Sequence, residues 1–297
     1  TNSEGRPEMK GTKRLEPKLD GVRVLLMVIP GASEGVTTIC FSRNGKVFDN
    51  FTHIEQQVSD NFVKIARGHQ NALINGFVLD GEVIGNTFQE LMRQARRKTD
   101  VQADDSVFNV FDIIPLSDFR EGHWNAQLRK RIDILEHIRH VVENMPNVEL
   151  LPHLMVDLDT AAGKDQLMRY AKDNVNAGFE GIMIKELQAP YICKRSTDWM
   201  KWKPTITVDL EVIGVEEGTG RNLGRLGALV CNGIDDGKEI TVNVGSGFSD
   251  DDRDNYWTDS NLIIGRTAEI LCDVITQNQD GTYSLRFPRF VRFRDDK

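Results

Sequence analysis

The chain changes character at Lys203-Pro204. From residue 207 onward only strands and turns can be read. Segments 208–215, 226–232, 238–244, 265–275 and 283–293 are rich in β-branched and aromatic side chains. Gly218, Gly220, Gly224, Asp236-Gly237 and Asp280-Gly281 punctuate them. Short, evenly spaced strands with no helical stretch between them predict a small β-barrel.

Upstream, strand and helix signals mix. Residues 22–29 and 36–42 read as strands separated by Pro-Gly-Ala-Ser, and Asn44-Gly45 marks a tight turn. Further strands are expected at 77–83, 106–114 and 181–185. A helix is expected over Phe88 to Lys98, with Arg93, Arg96 and Arg97 on one face. Over 125–144, Leu128, Ile132, Leu135, Ile138 and Val142 form one apolar stripe. A third helix spans 160–177 and ends at Gly178. The boundary falls within 203–208, giving a first domain of 1–205 and a second of 206–297, an α+β chain overall.

No run of 18 apolar residues occurs, so no membrane span is expected. Thr1 to Lys18 has no signal-peptide core and no initiator Met, which suggests a trimmed start. The four cysteines, Cys40, Cys193, Cys231 and Cys272, form no CxxC pair. That argues against a zinc ribbon or a disulfide framework and suits a reducing cytoplasm. His137 and His140 share a helical face without further ligands nearby and read as surface residues. The net charge of −8 argues mildly against a nucleic-acid partner. Its distribution argues the other way. Arg93, Arg96, Arg97 and Lys98 cluster, as do Lys194, Arg195, Lys201 and Lys203, and Arg286, Arg289, Arg292, Arg294 and Lys297. A basic track on an acidic body is compatible with phosphate binding.

The strongest local signal is Lys18-Leu19-Asp20-Gly21-Val22-Arg23, directly before a strand. A lysine attacks phosphorus only as the free amine, so it needs burial or neighbouring positive charge to shed its proton near neutrality. Gly21 would let backbone approach a phosphate, and Arg23 could grip one with its planar fork.

K-x-D-G-x-R resembles the nucleophile motif of the covalent nucleotidyltransferases: DNA ligases, RNA ligases and mRNA capping enzymes. Other elements of that family follow in order. Ser42-Arg43-Asn44-Gly45 resembles S-R-x-G, Leu79-Asp80-Gly81-Glu82 resembles D-G-E, and Val110-Phe111-Asp112 the aromatic-Asp strand. Glu180-Gly181-Ile182-Met183-Ile184-Lys185 is similar to E-G-hydrophobic-K, and Trp199 to Lys203 to the K-x-K strand. Arg294-Asp295-Asp296-Lys297 resembles the closing R-x-D-K. The closest resemblance is to ATP-dependent DNA ligases of the small phage or viral type.

What the resemblance implies is specific. The fold would be a nucleotidyltransferase domain of ATP-grasp-like antiparallel sheets with helices, followed by a C-terminal OB-fold β-barrel. Lys18 would be the nucleophile, with Lys201 and Lys203 on the α-phosphate and helping to activate it. Glu16 and Phe111 would meet the purine. Arg23 and Arg43 would meet ribose or the 5′-phosphate of the nick, and Lys185 and Arg195 would belong to the nucleotide pocket. Glu82 and Glu180 would hold Mg²⁺, and Glu82 also the ribose hydroxyls. Arg294 and Lys297 would orient the β- and γ-phosphates from a mobile barrel, with Asp209 as the pivot. ATP and Mg²⁺ would be the cofactors and nicked duplex DNA the substrate of a cytoplasmic monomer, in a bacterial or phage-infected cell. Repair, replication and recombination would be its settings.

With 17 residues before Lys18, the N-terminal helical DNA-binding domain of larger ligases is not expected. The short stretch Glu216 to Arg225 leaves no room for the barrel insertion that some viral ligases wrap around DNA. DNA grip would fall to Arg93, Arg96, Arg97 and the barrel face. An RNA ligase or a capping-type enzyme is the main alternative, and a non-catalytic OB-fold binding module another. An NAD⁺-dependent ligase is disfavoured by the lack of a cysteine zinc module.

Overall fold

Alternation along strands decides which side chains meet. The computed structural model describes residues 9–31, 35–67, 73–85, 91, 102–278 and 281–294. In the strand Val22–Pro30, Val24, Leu26 and Val28 are fully buried while Leu25 and Met27 are half-buried, the period of two that a sheet imposes. The chain divides into two compact units, Thr1–Trp202 and Lys203–Lys297.

Two sheets organise the first unit. The larger has six strands in the order Val47–Phe48, Val36–Ser42, Val22–Pro30, Phe77–Ile84, Val107–Pro115 and Val148–Leu150. All neighbours are antiparallel except the last pair. The smaller has four antiparallel strands in the order Trp199–Trp202, Ile182–Glu186, Thr12–Pro17 and Leu154–Asp157. Helices Thr52–Asp60, Phe62–Arg67, Leu128–His137 and Arg139–Val142 bring Ile54, Val58, Phe62, Ile65, Ile134, Leu135 and Val142 to the core of the larger sheet. Each such side chain contributes about 1.5–3 kcal/mol on burial. Helix Ala161–Asn176, capped by the Thr160 hydroxyl accepting from Gly163 N–H, packs on the smaller sheet with Leu15, Val156, Ile182 and Ile184.

The helix expected over 125–144 is two helices, broken at Ile138. Its stripe is buried but serves two surfaces. Leu128 and Ile132 pack with Leu187, whereas Leu135, Ile138 and Val142 join the main core. The helix expected over Phe88 to Lys98 lies, but for Leu91, outside the described residues, as do Arg93, Arg96, Arg97 and Lys297. No helix among the described residues is long and apolar enough to cross a membrane.

The strand Thr12–Pro17 was not expected. It reads Lys-Arg-Leu-Glu, yet Lys13 to Pro17 are all buried. Pro17 closes it, and Val22 opens the first long strand of the other sheet. Lys18 to Gly21 are therefore the link that crosses from one sheet to the other.

Gly21 is required by packing. A Cβ there would lie 2.3 Å from the Val83 carbonyl oxygen, so the missing side chain admits the neighbouring strand. Gly81 is similar: its Cβ would meet the Asn109 carbonyl oxygen at 2.5 Å, beside a bulge in the strand pairing. Gly21→Ala is expected to destabilise the first unit by about 1–3 kcal/mol, as overpacking does. Thermal unfolding checks this, and an unchanged midpoint would refute the steric reading.

The second unit is one seven-stranded sheet in the order Val274–Gln277, Tyr283–Arg286, Lys238–Val244, Leu226–Asp235, Ile206–Glu217, Thr267–Cys272 and Arg289–Arg294. Val208, Leu210, Val212, Leu229, Val244 and Ile270 fill its core. The long strands expected at 265–275 and 283–293 are each two strands. The second break falls at Phe287, whose φ of 54° is left-handed. The expectation of strands and turns alone is corrected by a helix, Asp250–Thr258. A reciprocal cap between Ser249 and Asp252 starts it, with three aspartates in its first turn favouring the helix dipole. The buried Arg253 anchors it by donating to the carbonyls of Leu226, Gly227 and Gly245.

Candidate active site

The smaller sheet sorts its residues by face. Leu15, Ile182, Ile184, Met200 and Trp202 pack with helix Ala161–Asn176. The alternate positions Glu16, Met183, Lys185 and Trp199 line a pocket, joined from the larger sheet by Arg23, Glu82 and Phe111. Lys18 and Leu19 of the crossing link complete its wall with Leu151. The sheets thus bring six sequence-predicted residues together: Glu16, Lys18, Arg23, Glu82, Phe111 and Lys185.

Backbone pairing fixes the lysine. Lys18 N–H donates to Gly181 O at 2.9 Å, and Glu180 N–H donates to Lys18 O at 3.0 Å. The Lys18 amine is ion-paired with the Glu180 carboxylate. The direct charged contact is thus an acid, while Arg23, Arg43, Arg195 and Lys201 line an adjoining pocket that Lys18 shares. Glu82 accepts a hydrogen bond from Gly21 N–H at 3.0 Å. Burial raises the Glu82 pKa, and the Glu180 charge adds to the rise; Gly21 N–H, Lys18 and Arg23 pull the other way.

Arg23 donates to both oxygens of the fully buried Asp80, at 2.9 and 2.6 Å. Burial opposes its charge, but Asp80 more than offsets this and raises its pKa. The Tyr191 hydroxyl donates to the same carboxylate at 2.8 Å. The fork occupies two of the five guanidinium N–H groups, leaving others for a ligand. Phe111 and Trp199 meet edge to face at 5.6 Å, and the Lys185 ammonium lies 4.1 and 3.9 Å from their ring centres.

Arg43, Arg195 and Lys201 are exposed around an adjoining pocket that shares Lys18, Arg23 and Glu82 with the first. Arg43 sits in the turn Ser42 to Gly45, where Gly45 has φ of 77°. Lys203 does not share a strand with Lys201. It belongs to the second unit, with its amine 3.4 Å from Asp273. Arg294, also in that unit, is ion-paired with Asp209 at 3.5 Å and Glu269 at 3.2 Å.

Sequence reasoning missed Asp80, Tyr191, Trp199 and Met183 as site residues, and Arg14 entirely. Trp199 and Met183 could have been found by alternation from Lys201 and Lys185. Tyr191 carried no signal, lying 111 residues from Asp80.

The donor set also bears on a metal. No group of three or more His, Cys, Asp or Glu side chains is set to hold one among the described residues. Glu82 and Glu180, both close to Lys18, suit Mg²⁺, which takes one or two carboxylates and completes its shell with water and phosphate oxygens.

Comparison with known proteins adds to this geometry. The sequence pattern of the ATP dependent DNA ligase domain matches residues 3–203, and that of the DNA ligase OB-like domain matches 217–294. The DNA ligase of Natronomonas pharaonis is 30% identical over 315 residues, covering 97% of this chain and 52% of that protein. The solved structure named Pmar-Lig_Pre is 41% identical with a TM-score of 0.86, covering 98% of this chain and 65% of that one. A structure of a Lig E DNA ligase has a TM-score of 0.64 at 18% identity, covering 95% of this chain and 92% of that one, a likeness of fold. The chain spans about half the length of the curated relatives it matches.

Proposed function

The chain belongs to the ATP-dependent DNA ligase family, and from that premise we propose that it seals nicks in duplex DNA through a lysyl-AMP intermediate on Lys18. The observation that carries this reading is the Lys18 amine, held at a seam between two sheets beside Glu180 and Glu82, with Glu16, Phe111 and Trp199 lining the same pocket.

Three displacements make up the reaction. The deprotonated Lys18 amine forms a bond to the α-phosphorus of ATP, and the bond to pyrophosphate breaks. The 5′-phosphate of the nick then takes AMP from the lysine. Last, the 3′-hydroxyl attacks that phosphate and AMP departs. Phosphoryl transfer depends mainly on positioning and charge. Lys201 and Arg43, exposed at the adjoining pocket, offset phosphate charge, and the free edge of Arg23 contacts ribose or phosphate. Glu82 and Glu180 would hold Mg²⁺, which when bound supplies positive charge at the α-phosphate. The family resemblance also assigns Lys203 and Arg294 to the phosphates of ATP. The setting is nicked DNA in the cytoplasm, handled by a monomer, in repair, replication or recombination.

Incubation with nicked DNA/DNA and mixed DNA/RNA duplexes, with ATP, GTP or NAD⁺ supplied, tests the reading. Joined DNA product with ATP alone is expected. Labelling by GTP in place of ATP would make it a capping-type enzyme, and no covalent adduct under any condition would sink the proposal.

A further inference from the structure

Arg14 is 2% exposed and stands directly opposite Lys185 in the paired strands. Like charges in that position repel, and burial sharpens the repulsion. Glu16, two residues along on the same face, relieves it. Arg14 Nε lies 2.7 Å from Glu16 Oε1, and Lys185 Nζ lies 2.7 Å from Glu16 Oε2. Both contacts are charge contacts. Arg14 Nε and Glu16 Oε1 are both buried and meet as charges, not as an aligned hydrogen bond; each carboxylate oxygen of Glu16 has a second lone pair with which to accept from a ligand. Arg14 also reaches the other sheet, where its Nη1 donates to the Phe111 carbonyl at 3.3 Å. A guanidinium presents its donors on separate nitrogens of a rigid fork and so reaches two well-separated acceptors, whereas an ammonium must serve both from one nitrogen. Arg14 is thereby a staple between the carboxylate and the aromatic strand at one end of the pocket.

We propose that Arg14 is a specificity-positioning residue, holding Glu16 in one orientation so that its carboxylate accepts from the 6-amino group of adenine and repels a 6-oxo purine. The inference rests on the reading of this pocket as the ATP site. The fixed orientation matters because guanine also carries donors, at N1 and the 2-amino group. A carboxylate free to swing could accept from those instead. Clamped between Arg14 and Lys185, Glu16 cannot follow them.

The test compares the rate of covalent labelling, as kcat/KM, for ATP, GTP and purine riboside triphosphate, which lacks the 6-amino group. The wild-type protein is expected to lose roughly 10- to 100-fold from ATP to the purine analogue, the range for one hydrogen bond to a charged group. In Arg14→Met that loss is expected to shrink to about 3-fold or less, with GTP use rising relative to ATP. A purely structural role would slow all three nucleotides in proportion, and unchanged ratios would overturn the proposal. If Arg14→Met does not fold, Arg14→Lys carries the same test. It keeps the charge but cannot bridge to Phe111, so an intermediate ratio supports the proposal and a wild-type ratio overturns it. Absence of label in the wild-type protein with any nucleotide would instead sink the ligase reading.

Discussion

Lys18→Ala protein, incubated with α-labelled ATP, carries no covalent label, and its sealing of ordinary nicks falls by about 10⁶-fold, as when the nucleophile of a covalent enzyme is removed. The loss is confined to steps that use the amine. Lys18 lies on the crossing link, and its backbone is bracketed by Glu180 and Gly181, so truncation leaves the pairing of both sheets intact. Sealing of a nick that already carries AMP needs no lysyl intermediate, and the variant is expected to retain a large part of it. Label on the alanine variant, or on another side chain of the wild-type protein, would remove Lys18 from the mechanism.

Arg131→Met is expected to destabilise the first unit by about 3–5 kcal/mol, the cost of leaving a buried charge without its partner. For a unit of this size that lowers the unfolding midpoint by roughly 10 °C. Arg131 and Asp112 both have fully buried side chains, joined at 2.8 and 3.1 Å. Arg131 also donates to the carbonyls of Ala126 and Ala189, tying helix Leu128–His137 to two loops. Asp112 sits opposite Asp80 in the paired strands, so its loss of neutralisation falls beside a second carboxylate, the one that holds Arg23. The double variant Asp112→Leu, Arg131→Met should recover much of the loss, since an apolar pair replaces an ionic one at little net cost. A single-variant midpoint within about 2 °C of wild type would show that the pair is not needed.

The strands of the larger sheet were legible because one face is packed and period two survives in the side chains, as in Val24, Leu26 and Val28. The strand Thr12–Pro17 was hidden for the opposite reason. Its second face carries Arg14 and Glu16, charges kept for the pocket, so its composition looks solvent-exposed. Helix Asp250–Thr258 offered no apolar stripe, since only Arg253 is buried in it. Its sole mark was Ser249 three residues before Asp252. Among site residues, Glu16, Lys18, Arg23, Glu82, Phe111 and Lys185 lie in or beside contiguous motifs and share one pocket, whereas Arg43 and Lys201 line the adjoining one. Asp80 and Tyr191, which orient Arg23 and lie 111 residues apart in sequence, meet only through folding. Lys203 was misplaced because the spacing of Lys201 and Lys203 implies one strand, whereas the strand ends at Trp202.

The crossing from Pro17 to Val22 has a consequence for how the molecule can vary. It works as a phase lock between two pleated surfaces. One residue more or fewer in that span would oblige a flanking strand to slip by one position, turning Arg14 and Glu16 inward and Leu15 outward. Loops elsewhere can lengthen at small entropic cost, but this tether cannot be stretched without scrambling what faces the nucleotide.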